Sequence, residues 1–188
     1  MIRAFVSIRP PEEALHRLVA AQAGLPAGRL VAPENLHLTL AFLGEQPEPV
    51  LEDLHYALGA IRCPAVWLEL GGMALFEQQR AQIVAMEAVA GPALARLREK
   101  VSQAARSAGI ALERSRWRPH VTLARLNQPP LPEEAARLRE FVAARAGSRA
   151  GPWPVAEFEL TRSWLGRAGA AYEAMAEYAL GAPEPASI

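Results

Sequence analysis

A chain of 188 residues with 20 basic and 20 acidic side chains has no net charge, which argues against the broad cationic footprint that a long nucleic-acid duplex requires. Half of the residues are apolar and 21% are charged, with 13 Gly and 16 Pro dispersed along the chain, so the profile is globular and a single domain over 1–188 is expected. Cys63 is the only cysteine, which excludes an intrachain disulfide, and no apolar run approaches the length of a membrane span or signal-peptide core; a cytoplasmic monomer is expected.

Residues 2–8 predict a strand, after which Pro10, Pro11, Glu12 and Glu13 open a helix to about residue 23, because proline and acid both suit a first turn whose N–H groups are unpaired. Pro26, Gly28 and Pro33 mark a loop. A strand at 36–43 ends at Gly44 and Pro47, a helix covers 48–60, and a strand near 64–71 is broken by Gly71 and Gly72. A second series runs strand 80–87, helix 92–108 closed by Gly109, strand 119–126 and helix 132–146, with strands at 153–160, 161–166 and 171–179 finishing the chain.

Two short motifs repeat within that order, HLTLAFLG at 37–44 and HVTLARL at 120–126. Their histidines are 83 residues apart, and the same offset carries the helix at 11–23 onto 94–106 and the helix at 48–60 onto 131–143. The chain therefore reads as a duplicated strand-helix-strand-helix-strand unit, with halves of about 1–75 and 76–188 between which strands can be exchanged. The expected fold is α+β: two pseudo-symmetric lobes whose antiparallel sheets line a central groove, with helices on the outer faces and the two motif strands facing each other across the groove.

Alternation along a strand assigns Leu36, Leu38, Leu40 and Phe42 to one face of the first motif, the core face, and His37, Thr39 and Ala41 to the other. In the second, Val121 and Leu123 oppose His120, Thr122 and Ala124. One histidine beside a buried strand is ordinarily a packing residue. Two, each sharing its face with a threonine two residues on, call for a common site. Imidazole titrates near 6.5, so one of the pair can be neutral while the other is protonated, as in-line displacement at phosphorus requires. A base takes a proton from the attacking hydroxyl, an acid gives one to the leaving oxygen, and Thr39 and Thr122 hold the non-bridging oxygens. A bell-shaped pH dependence with both limbs between about pH 5 and 8.5 follows from ordinary histidine values.

The segments IRAFVSIRPPEE, PENLHLTLAFLGE, RWRPHVTLARL and FELTRSWLGRAGAAYE, spanning nearly the whole chain, resemble the two-histidine phosphoesterases, and in particular the RNA 2′,3′-cyclic phosphodiesterases once named 2′-5′ RNA ligases. The resemblance implies metal-independent hydrolysis of RNA-end or nucleoside 2′,3′-cyclic phosphates to 2′-phosphates, without a cofactor. It also implies His37 as proton donor and His120 as proton acceptor. Microscopic reversibility allows 2′-5′ joining of RNA ends as an alternative, and an inactive nucleotide-binding module is a further one. A zinc site on His37 and His120 lacks the cysteine or carboxylate partners it would need.

Three further residues are candidates for substrate binding. Phe5 shares a strand face with Arg3 and Ser7 and is placed to stack a nucleobase. Arg118 has the same parity as His120, whereas Arg125 matches an arginine common after the family's second motif but falls on the opposite face unless a bulge turns it inward. His16 and His55 lie in helices without metal-ligand spacing and are expected to be surface or packing residues, and Cys63 a small half-buried one.

Overall fold

The computed structural model describes residues 1–78, 81–113, 116–126, 128–166 and 169–183. Its strands are β1 (Ile2–Ile8), β2 (Arg29–Leu30), β3 (Leu38–Gln46), β4 (Pro64–Gln78), β5 (Ala81–Ala88), β6 (His120–Leu126), β7 (Ala150–Val155), β8 (Glu157–Gly166), β9 (Gly169–Ala179) and β10 (Gly181–Pro183). Its helices are α1 (Glu12–Gln22), α2 (Glu48–Gly59), α3 (Pro92–Ser107) and α4 (Pro132–Ala143), with a 3-10 turn at Pro33–Asn35.

The strands form one sheet of an α+β fold in the order β10-β4-β5-β6-β3-β1-β8-β9, with β2 beside β6 and β7 beside β4. Among the described residues the strand pairs are antiparallel except β10 with β4. β4 pairs with β5, and β8 pairs with β1. β3 and β6 are neighbours at the sheet centre, paired at Leu38 and Val121, rather than facing each other across a gap.

The helices cover one face of this sheet because their apolar residues recur at helical spacing. In α3 Leu94, Leu97, Val101, Ala104 and Ala105 are buried, and in α2 Leu51, Leu54 and Leu58. They join Val6, Ile8, Leu38, Leu40, Val121 and Leu123 in the main core. After helix α3 the chain turns at Gly109, whose φ of 81° brings the Ile110 N–H to the Ala105 carbonyl, while Gly109 N–H bonds to that of Arg106.

Besides β3, which begins at Leu38 and runs through Gly44 to Gln46 instead of covering 36–43, the strand boundaries differ from the sequence expectation in three places. Gly71 and Gly72 do not end β4: the strand continues through a register shift between Leu70 and Met73. Glycine is needed there for closeness, since a Cβ on Gly72 would lie 1.8 Å from the Ala146 carbonyl oxygen. The region 153–160 is split between β7 and β8, which pair with different partners. The short strands β2 and β10 have too few residues to leave a periodic signal.

Candidate active site

The two motif strands share an irregularity that places the site. Between β1 and β3 the register steps from Val6↔Ala41 to Ser7↔Thr39, and between β5 and β6 from Val84↔Ala124 to Ala85↔Thr122, so Leu40 and Leu123 are each an extra residue. These are β-bulges at equivalent positions, one residue beyond each threonine. Leu40 and Ala41 are consecutively buried, as are Leu123 and Ala124. The alternation therefore reverses: Phe42, assigned to the core by strict parity, is 67% exposed. Arg125 is turned to the histidine side by the same step.

The second bulge has a visible anchor. The Leu123 carbonyl accepts hydrogen bonds from Val31 N–H at 2.8 Å and from the buried Gln22 side chain at 2.9 Å, while the same amide of Gln22 donates to the Val31 carbonyl at 2.7 Å. Sequence reasoning missed Gln22. Its only signal was a polar residue on the apolar stripe of α1, below Ala14 and Leu18.

The register at Leu38↔Val121 sets His37 opposite Thr122 and Thr39 opposite His120. His37 lies one residue ahead of β3, and His120 is the first residue of β6. The Nδ1 of His37 is 2.7 Å from the Asn35 carbonyl, and that of His120 is 2.7 Å from the Arg118 carbonyl. A carbonyl oxygen can only accept, so in each ring Nδ1 carries the proton and Nε2 is left with its lone pair for chemistry.

The walls differ. Phe5 stacks on His37 at 4.7 Å, and Tyr172 stands edge-on to both rings, at 5.2 Å from His37 and 5.1 Å from Phe5. Phe76 stacks on His120 at 4.6 Å, within a small apolar cluster with Ile83 and Ala85 that is separate from the main core. Burial lowers the pKa of His37 to about 4, helped by the charge of Arg125 and by His120 and opposed by the Asn35 carbonyl. Burial also lowers His120, the Arg118 carbonyl opposing it, Arg118 and Arg125 adding to the fall, and Glu87 working against it.

The other candidates are placed as follows. Phe5 is 5% exposed and its face is taken by His37, so the exposed aromatic beside it is Phe42, 6.5 Å away. Arg118 is bound to Glu87 at 2.8 Å and lies over Phe76 at 4.2 Å. Arg125 has no hydrogen bond or ion pair among the described residues, yet its charge reaches both histidines. Trp117 donates to the Thr39 carbonyl at 3.2 Å and ties the approach to β6 onto β3. His55 bonds Tyr178 at 2.9 Å, and Cys63 is buried rather than half-buried. Among the described residues no three His, Cys, Asp or Glu side chains are grouped to hold a metal ion, and no helix is long and apolar enough to cross a membrane.

The model of the 2′-5′ RNA ligase superfamily matches residues 9–168. An RNA 2′,3′-cyclic phosphodiesterase of Aeropyrum pernix is 34% identical over 160 residues, 84% of this chain and 88% of that protein. Among solved structures, a protein of Thermus thermophilus superimposes with a TM-score of 0.77 at 28% identity, covering 97% of this chain and 100% of the other. Escherichia coli LigT in complex with 3′-AMP does so with a TM-score of 0.75 at 27% identity, covering 95% and 98%. With its two bulged His-x-Thr strands paired at the centre of one sheet, this chain belongs to the 2′-5′ RNA ligase superfamily.

Proposed function

We propose that this protein hydrolyses 2′,3′-cyclic phosphates at RNA ends or on nucleosides to 2′-phosphates, by acid–base catalysis between His37 and His120. The observation that carries this reading is the matched pair of imidazoles, each held through Nδ1 by a backbone carbonyl two residues upstream, with no hydrogen bond to Nε2 among the described residues. Two such groups on opposite sides of one phosphate can move a proton in and a proton out within a single turnover.

In this mechanism His120 Nε2 removes a proton from water as its oxygen attacks phosphorus. The bond from phosphorus to O3′ breaks in line with the attack, and His37 Nε2–H protonates the departing O3′, which leaves the phosphate on O2′. Thr39 and Thr122 donate to the non-bridging oxygens, and Arg125 offsets their growing charge. Arg125 suits that part better than Arg118, whose guanidinium already holds Glu87. Charge neutralisation by one arginine and proton transfer by two imidazoles need no metal ion in the step. The names of the relatives and the complex of LigT with 3′-AMP support a small nucleotide or an RNA end as the ligand.

The test is incubation with 2′,3′-cyclic AMP and with a cyclic-phosphate-ended oligonucleotide in excess EDTA, followed by identification of the product isomer. A 2′-phosphate formed at the same rate with and without chelator is expected. A 3′-phosphate, or loss of turnover restored by a divalent ion, would overturn the mechanism.

A further inference from the structure

On the β1–β8–β9 side of His37 the groove floor opens into a cavity of about 40 Å³ bounded by Ser7, Arg9, Asn35, Glu159, Thr161 and Tyr172. No residue of β4, β5 or β6 lines it. Its floor is polar where a sheet face would ordinarily be apolar: Ser7 is 1% exposed, Thr161 3% and Glu159 7%. Ser7 and Thr161 satisfy each other through a hydroxyl–hydroxyl hydrogen bond of 3.1 Å. Glu159 has no hydrogen bond and no ion pair among the described residues. Burial pushes its carboxyl up, with Arg9 pulling it down and Glu177 and Glu157 adding to the rise. A carboxylate in that position costs folding free energy unless a ligand or water entering the cavity completes its hydrogen bonds.

The register gives its distance from the chemistry. Thr39 is opposite Ser7, and Ser7 is opposite Glu159, all on the groove face. Glu159 is thus two strands from Thr39, about 10 Å at the usual strand spacing. That is the scale of a nucleotide measured from its ribose phosphate to the far edge of its base. The mechanism above puts the ribose oxygen O3′ on His37, so the base extends towards this cavity and away from His120. A space of this size admits the edge of a base, not the whole ring.

We infer that this cavity is a nucleobase subsite in which the Glu159 carboxylate accepts hydrogen bonds from the amino-bearing edge of adenine, cytosine or guanine. Uracil presents two carbonyl oxygens flanking one N–H and repels an ionised carboxylate, so it is the disfavoured base. The inference rests on the proposed cyclic-phosphate reaction for the orientation of the nucleotide.

The experiment measures kcat/KM for the four nucleoside 2′,3′-cyclic phosphates and Kd for the four nucleoside 2′-monophosphates, with the wild-type protein and Glu159→Gln at pH 7. Amino-bearing bases are expected to exceed uracil by about tenfold in both series, in line with loss of one good base contact. In Glu159→Gln, whose amide offers a donor to a uracil carbonyl, the ratio should fall to near one by loss on the amino bases, with uracil unchanged or improved. The melting temperature checks that the variant folds, and Glu159→Ala is the second variant. Equal values for all four bases in the wild-type protein, or an equal loss on all four in the variants, would overturn the subsite. A base preference in Kd without turnover of any cyclic nucleotide would sustain the subsite and overturn the proposed reaction.

Discussion

Acidity is the perturbation that bears most directly on the paired-histidine mechanism. With His37 lowered to about 4, only about one free protein in 10³ carries the donor proton at pH 7. His120 is lowered as well, so both macroscopic values of the free protein lie below the ordinary 6.5. The bell expected from unperturbed histidines, with limbs reaching to about pH 8.5, is therefore displaced to acid. Above the upper value kcat/KM falls tenfold per pH unit, and with that value at most 6.5 it should be at least about 30-fold below its maximum at pH 8. A bound phosphate anion stabilises both imidazolium forms, so the kcat profile should sit at higher pH than the kcat/KM profile. The assay is initial-rate kinetics on a cyclic nucleotide from pH 3.5 to 9, in buffers of constant ionic strength. An optimum for kcat/KM at or above pH 7, or a single limb, would refute the reasoning.

Replacing His37 or His120 with Ala should each lower turnover by at least about 10²-fold, and the double variant should be little worse than the poorer single one, because the pair acts as a unit; fully multiplicative losses would mean independent roles. Arg125→Ala should reduce kcat/KM about 10²-fold and shift both limbs of the pH profile upward, since its charge depresses both histidines, whereas Arg118→Ala should cost less than about tenfold; steady-state kinetics of the two variants ranks them. Burial of neutral His37 also links to stability. Its folded value of about 4 lies below the unfolded 6.5, so the unfolded state binds the proton first, and stability is lost as the pH falls from 6.5 towards 4 by ~3 kcal/mol at most. Urea denaturation of the wild-type protein and His37→Asn across that range should show the dependence flattened in the variant.

The long elements were legible because their periodicity is strong, and the helices α1 to α4 start within a residue of their proline signals. The pairing of the two histidines was legible for a different reason: the motif repeats, and its polar face stands out against apolar neighbours. What failed was strict alternation beyond the threonines. Nothing in HLTLAF or HVTLAR marks Leu40 or Leu123 as an extra residue, since Leu-Ala fits either face. The bulge is imposed by tertiary hydrogen bonds such as those of Gln22 and Val31 to the Leu123 carbonyl, which no local pattern encodes. Phe42 was thereby assigned to the core and Arg125 left between two faces. The same limit hid Glu159: its strand alternates correctly, but that its polar neighbours Ser7 and Thr161 are buried beside it depends on β8 joining β1.

Two imidazoles with matching Nδ1 contacts stand on neighbouring strands, and the unequal walls are what can divide their labour. No carboxylate counters the fall in the pKa of His37, which Phe5 and Tyr172 enclose, whereas Glu87 on β5 is opposite His120 and works against the fall in its pKa. A strongly desolvated imidazolium is the better acid, and an imidazole with a carboxylate nearby is the better base. The proposed donor and acceptor thus match their surroundings in the transition state, where Brønsted dependence favours a strong acid at the leaving oxygen and a strong base at the attacking water. The same matching makes the reactive protonation state rare in the free protein, because burial disfavours the proton on His37. Phosphate binding offsets that cost only if its charge falls close to His37, on the side where O3′ departs. A substrate lacking that negative charge should therefore lose kcat as well as binding, and a neutral cyclic phosphotriester provides the comparison: its kcat should fall by at least about tenfold relative to the cyclic diester after correction for the nonenzymatic rates of both. Equal corrected kcat values would mean that substrate charge plays no part in placing the proton.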